Sequence, residues 1–231
     1  MIYLLIVSLI WAFSFGLIKG NLTSLDSNFV SFSRLFISFL VFLPFLKFKL
    51  LNKKLTFTFL GIGSIQYGMM YVSYIYAFQF LKAYEIVLFT IFTPFYIVFI
   101  SDIIDRKFSS VFYVTSILSF IGTGIIVWND LSSSSLFIGF ILMQISNFAF
   151  AFGQVFYKKI MKESPYLSDK NIFALLFFGG GLTSFIFSIS TTNYSSLSLS
   201  SEQILTLMYL GVVASGIGFF LWNYGAKITN T

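Results

Sequence analysis

Long apolar stretches separated by short polar ones dominate this chain. Stretches free of Asp, Glu, Lys and Arg run over 1–18, 55–81, 86–101, 108–129, 131–157, 171–201 and 203–226, and one more, 27–46, is broken only by Arg34. A helix crossing a bilayer core needs roughly 20 apolar residues. The pattern therefore predicts eight spanning helices, at about 1–18, 27–46, 55–81, 84–101, 108–129, 136–157, 171–190 and 203–226. The fourth is the shortest and contains Pro94. Turn chemistry lies between them: Asp26-Ser27-Asn28 can cap the second helix, Asn129-Asp130 and Ser132 to Ser135 make a polar loop, Pro165 marks a loop over 158–170, and a Ser/Thr-rich run follows Ser190.

Composition agrees with that reading. Hydrophobic residues make up 58% of the chain and charged ones 10%, against about 25% charged in soluble domains. An ordinary soluble protein is excluded, and the fold class is all-α integral membrane. There is no His and no Cys, which removes imidazole and thiolate bases, nucleophiles and metal ligands. No span carries a carboxylate pair, and no loop carries a phosphate-binding Gly-rich Lys motif. The expectation is a protein that is not an enzyme, with no cofactor and no metal, embedded in the lipid bilayer and binding no nucleic acid.

The net charge of +6 is distributed by side. Lys47, Lys49, Lys53 and Lys54, then Arg106 and Lys107, then Lys158, Lys159, Lys162 and Lys170, and finally Lys227 fall on one face of the predicted topology. The other face holds only Lys19 and Lys82, beside Asp26, Glu85, Asp130 and Glu202. Basic loops stay in the cytoplasm, so both termini are expected there, in a multi-pass protein of the inner cell membrane. The first helix lacks a basic flank and a small-residue cleavage site, so it is expected to remain as a span rather than act as a signal peptide.

Weak internal similarity runs through the chain. Trp11-Ala12-Phe13-Ser14-Phe15-Gly16 resembles Phe148-Ala149-Phe150-Ala151-Phe152-Gly153 in helix six. Asp26-Ser27-Asn28 resembles Asp169-Lys170-Asn171, and Leu60-Gly61 with Gly68 resembles Leu210-Gly211 with Gly218. The matches keep their order, which predicts a duplicated five-helix unit: a first copy over 1–130 and an incomplete second over 131–231. An odd-numbered unit makes the second copy enter from the opposite face, giving an inverted repeat with a substrate site between its halves.

On these residues the chain resembles the drug/metabolite transporter superfamily, and its EamA-type members in particular. The resemblance is carried by Trp11 to Gly16 with Lys19, by Arg34, Pro94 and Asp105-Arg106, by Gly122-Thr123-Gly124, Gly139 and Lys158-Lys159, and by Leu221-Trp222-Asn223-Tyr224. It implies a transporter of small metabolites, amino acids or related solutes, working by alternating access. It also implies ten helices, of which the last two are not in this sequence. A truncated, non-transporting relic or a structural subunit needing a partner chain is the alternative, and a homodimer or partner chain is one way to supply what is missing.

Polar groups inside a span mark the expected solute pathway. Helix six carries Gln144, Asn147 and Gln154 on one face, either lining a pathway or bonding to neighbouring helices. Helix three carries Gln66 with Tyr67, Tyr71 and Tyr74, whose rings suit organic solutes or cations. Trp11 and Ser14 on helix one and Trp222 and Asn223 on helix eight complete the set, the two Trp doubling as possible interfacial anchors. Pro94 loosens helix four and can free a carbonyl. Arg34 is the one charge well inside a span. It either snorkels to headgroups, bonds to backbone carbonyls, or holds an anionic solute.

Overall fold

The computed structural model describes residues 2–126 and 134–228. Eight continuous helical rods follow one another: α1 (Ile2–Leu22), α2 (Ser27–Phe45), α3 (53–77), α4 (Ala83–Asp105), α5 (Ser110–Ile126), α6 (Ser134–Glu163), α7 (Phe173–Thr191) and α8 (Ser201–Ile228). Among the described residues there is no strand. Six of the rods are long and apolar enough to cross a membrane; α3 and α5 are not among them. The α5 rod is short, and Gln66, Tyr67, Tyr71, Tyr74 and Tyr76 dilute the hydropathy of α3. The predicted turn at Asn129-Asp130, Ser132 and Ser133, and the boundary between the repeat halves, lie outside the described residues.

Local sequence sets the helix starts. Asp26 accepts the Asn28 and Phe29 N–H groups at 3.0 and 2.9 Å and caps α2, as its position predicts. Asn52 caps α3, Ser200 and Gln203 form a reciprocal capping box on α8, and the Glu85 carboxylate accepts the Lys82 N–H at the start of α4. Two boundaries move outward from their expected places. Lys19 lies inside α1 on a π-helical turn, Ile18–Leu22, and donates to the Phe78 carbonyl at 2.6 Å. Lys158, Lys159 and Lys162 lie on the last turns of α6 rather than in a loop, because nothing breaks the helix before Ser164-Pro165.

The rods pack in a crossed pattern. The most extensive interface joins α3 to α7, and α3 with α6 and α2 with α7 follow. In addition α2 packs on the middle of α8 while α7 packs on the middle of α3, and α1 packs on α8 while α6 packs on α3. Each of these pairs joins a helix before residue 130 to one after it. Close approach is bought by small residues: at Gly63 a Cβ would stand 2.0 Å from the Leu176 carbonyl oxygen, and at Gly179 one would stand 2.2 Å from that of Leu60. Hydroxyls bridge the same crossings, Ser64 to the Gly179 carbonyl at 3.1 Å and Ser38 to the Gly211 carbonyl at 2.7 Å. Ser64, Gly179 and Gly211 thus serve close helix packing. By contrast α5 touches mainly α4 and turns Phe112, Ile117, Leu118 and Ile121 outward, as lipid-facing residues do.

Both α3 and α8 widen in mid-helix into π-helical segments, Ser64–Met69 and Leu210–Ile217. Such segments are rare and are frequent at functional sites. Each is bonded to the other's helix: Tyr67 of the α3 segment to Asn223 of α8, and Ser215 of the α8 segment to Tyr71 of α3.

Candidate functional site

Around the two π segments the core turns polar. From α2, Arg34 is directed inward and is only 3% exposed. Its Nε donates to Ser215 Oγ on α8 at 3.2 Å, and its guanidinium lies over the Tyr71 ring, 4.7 Å from the centroid. Tyr71 Oη and Ser215 Oγ share a hydrogen at 2.6 Å. The Nη1 atom of Arg34 is buried and has no partner. Arg34 thus points into the core rather than toward the headgroups, and among the described residues no backbone carbonyl accepts from it.

One to two turns along α3, a second group forms. Gln66 Nε2 donates to Asn223 Oδ1 at 3.3 Å, and Asn223 Nδ2 donates to Tyr67 Oη at 3.0 Å. Gln66 Oε1 is buried without a partner. Gly153 of α6 lies against the Gln66 side chain, where a Cβ would come within 2.1 Å of its Cβ, so α6 leaves room for the amide only because that position is glycine. Asn223→Leu would strip Tyr67 and Gln66 of a partner at once. It is expected to lower stability in detergent by about 1–3 kcal/mol, read as a fall in the unfolding midpoint relative to Asn223→Gln.

Aromatic rings wall this region. Trp11 packs on Phe219 and Trp222 with centroids 5.1 and 5.0 Å apart, and its Nε1 donates to the Ala214 carbonyl inside the α8 π segment at 2.9 Å. Trp222 Nε1 donates to Gln154 at 3.0 Å. The two Trp residues thus pair across α1 and α8, which argues against interfacial anchoring. Tyr74 packs between Phe15, Tyr71 and Phe78, while Ser14 bonds only to the Trp11 carbonyl of its own helix.

The remaining expected residues gather elsewhere. Asn147 donates to the Phe89 carbonyl at 2.7 Å and accepts from Thr93 at 3.1 Å; Gln144 accepts from Tyr96 at 3.2 Å. Pro94 sits in the first turn of a helix restarted after the 3-10 turn Thr90–Phe92, and Phe89 immediately precedes that break. Gln144 and Asn147 thus tie α6 to α4 around the break that holds Pro94, and share no bond with the Arg34 and Gln66 groups. Ser215 joins the Arg34 group although it is not among the pathway residues expected from the sequence. Its spacing of i, i+4, i+8 with Phe219 and Asn223 places all three on one helical face.

Hydrogen bonds close both ends. At one end Asp26 accepts from Thr191 and Thr192 of α7 and its loop, at 3.3 and 2.7 Å. At the other, Asp169, before α7, accepts from Tyr157 of α6 and from Lys227 of α8. Tyr67, Tyr71 and Asn223 are buried between these ends.

A multi-pass helical protein with buried amide and guanidinium groups at its central crossings has the make-up of a solute transporter. The chain belongs to the EamA-like transporter family of the drug/metabolite transporter superfamily, whose profile matches residues 1–128. It is a membrane transporter and not an enzyme. Its relatives include the biotin transporter of Salmonella typhimurium strain LT2, 37% identical over 98% of this chain and 76% of that protein. The biotin transporter of Escherichia coli K12 is 36% identical over 98% and 76% of the two chains. In Pseudomonas aeruginosa PAO1 a "Probable biotin transporter" is 31% identical over 97% and 79%. Among solved structures, one crystal structure of a protein matches with a TM-score of 0.66 over 96% of this chain and 79% of its own, at 13% identity, a likeness of fold alone.

Proposed function

We propose that this protein carries biotin across the inner membrane by alternating access, in place of the amino acids that the sequence suggests as cargo. The observation that carries this reading is the 36–37% identity to biotin transporters across 228 residues, a length that takes in every helix of the central polar groups. The chemistry of those groups supports it. Biotin presents a ureido ring with two N–H donors and one carbonyl, a thioether and an aliphatic acid chain. Facing amides, phenols and indole rings suit such a neutral, hydrogen-bonding ring. The same relatives lend nothing to a relic or a purely structural subunit.

In this reading all eight rods span the bilayer as an inverted repeat, with the N-terminus cytoplasmic. Support comes from the reciprocal packing of α2 on α8 with α7 on α3, and of α1 on α8 with α6 on α3. The two π segments, on α3 and α8, overlap when Gly61 is matched to Gly211. Lys47, Lys49, Lys53, Lys54, Arg106 and Lys107 all fall in or beside the α2–α3 and α4–α5 connections, on the face read as cytoplasmic. The site is closed at both ends, and transport opens one end at a time.

The test is uptake of labelled biotin by a bacterial strain that can neither make nor import it. Expression of this protein is expected to restore growth on trace biotin and saturable uptake. Protein detected in the membrane with uptake no greater than the empty vector would reject biotin as its solute.

A further inference from the structure

Arg34 is a buried charge that the fold leaves incomplete. Two ion pairs, Lys82 with Glu85 and Lys227 with Asp169, lie at helix ends, and among the described residues Arg34 has no acidic partner. A guanidinium carries five N–H donors in a planar fork and stays charged. Here one donor reaches Ser215, one face rests on Tyr71, and Nη1 points at no acceptor. A helix-cementing role would be met by the Ser215 bond alone and gives no reason to hold a full positive charge in the membrane interior, where an unpaired ion is strongly disfavoured. A planar anion accepting two parallel N–H bonds would complete the fork.

We infer that Arg34, with the hydroxyls of Ser215 and Tyr71 beside it, is the subsite for the carboxylate of the transported solute. A monoanion fits because one cation faces the group: the nearest named polar neighbours, Ser215, Tyr71, Tyr67, Gln66 and Asn223, are all neutral. A phosphate dianion would be left with net charge in an apolar site. Another of the buried atoms without a partner, Gln66 Oε1, belongs to a residue five positions before Tyr71 on α3, roughly 7 Å along the axis. A cation at one end and a neutral amide at the other match a solute with an acid at one end and a hydrogen-bonding neutral ring at the other. The inference rests on the biotin reading above and adds which end of the solute binds where.

The experiment is competition against labelled biotin uptake by unlabelled biotin and by its neutral carboxamide. Wild type is expected to prefer the acid by about 10- to 100-fold, the range of a charge-assisted pair. Arg34→Gln should bring the two competitors to within about threefold, and Arg34→Lys, which keeps the charge without the fork, should retain part of the preference. Absence of biotin uptake by wild type would overturn the substrate reading, and this inference with it. Uptake with equal competition by acid and amide, or an Arg34→Gln variant that keeps the full preference, would overturn this inference alone. Should Arg34→Gln fail to reach the membrane, the wild-type comparison and Arg34→Lys still decide the matter.

Discussion

Gly63→Ala is expected to lose about 3 kcal/mol of stability, while Gly61→Ala, two residues away on the same helix, stays at or slightly above wild type. Both are ordinary helical positions, so neither needs glycine for its backbone conformation, and the difference lies in what a methyl group meets. At Gly63 it would stand 2.0 Å from the Leu176 oxygen and 2.6 Å from the Leu176 C and Cα, all main-chain atoms that cannot rotate away. At Gly61 nothing lies within 4 Å. Relief at Gly63 requires α3 and α7 to separate. That would loosen the Ser64 bond to the Gly179 carbonyl and the seat of Tyr67 between Phe177 and Phe219, centroids 5.2 and 4.9 Å away. Overpacking typically costs about 1–3 kcal/mol, and two rigid backbones in contact put this case at the upper end. At Gly61 alanine gains helix propensity, up to about 1 kcal/mol. Unfolding midpoints of the two variants in the same detergent check this, and equal midpoints would show that α3 and α7 do not cross so closely. Gly179→Ala against Gly181→Ala repeats the comparison from the other side of the crossing.

The same glycines show why the sequence revealed some contacts and hid others. Helical spacing puts Gly61, Ser64 and Gly68 on one small-residue face of α3, yet the closest approach is at Gly63, which that spacing omits. A helix apolar on most sides does not disclose which side meets protein and which meets lipid, so position along a span was readable and orientation was not. The cap at Asp26 was readable, because it acts through local bonds, as Glu85 and Ser200 also do, while the ends of α1 and α6 run past the lysines expected to bound them. Polar groups inside spans were readable as a set. Gln66, Asn223, Tyr71 and Arg34 do converge on the core, but Gln144 and Asn147 turn instead to α4, and only long-range packing settles which partner an amide finds. Neutral amides and aromatic rings also suit many solutes, and biotin enters through the relatives rather than through any residue read in isolation.

Lys227→Gln is expected to destabilise the protein by about 3 kcal/mol, and Asp169→Asn by only about 1. The asymmetry follows from burial. The Asp169 side chain is 8% exposed and that of Lys227 is 27% exposed. Removing the lysine leaves a buried carboxylate with only Tyr157 to stabilise it. Removing the carboxylate charge leaves an amide that still accepts from Tyr157, and a long side chain that reaches water with its ammonium group. The double variant should then cost little more than Asp169→Asn alone, giving a coupling of about 3 kcal/mol in a double-mutant cycle. Asp169 precedes α7, Tyr157 lies on α6 and Lys227 ends α8, so one cluster ties three helices together at the end read as cytoplasmic. Loosening it should favour the form open on that side. The chain has no cysteine, so a single Ala174→Cys reports on that opening: Ala174 is fully buried in the first turn of α7. Its modification by a membrane-impermeant maleimide should quicken about tenfold when Asp169→Asn is added, the shift that 1.4 kcal/mol produces. An unchanged rate, together with additive costs in the cycle, would mean that these three helix ends part independently of the Lys227–Asp169 pair.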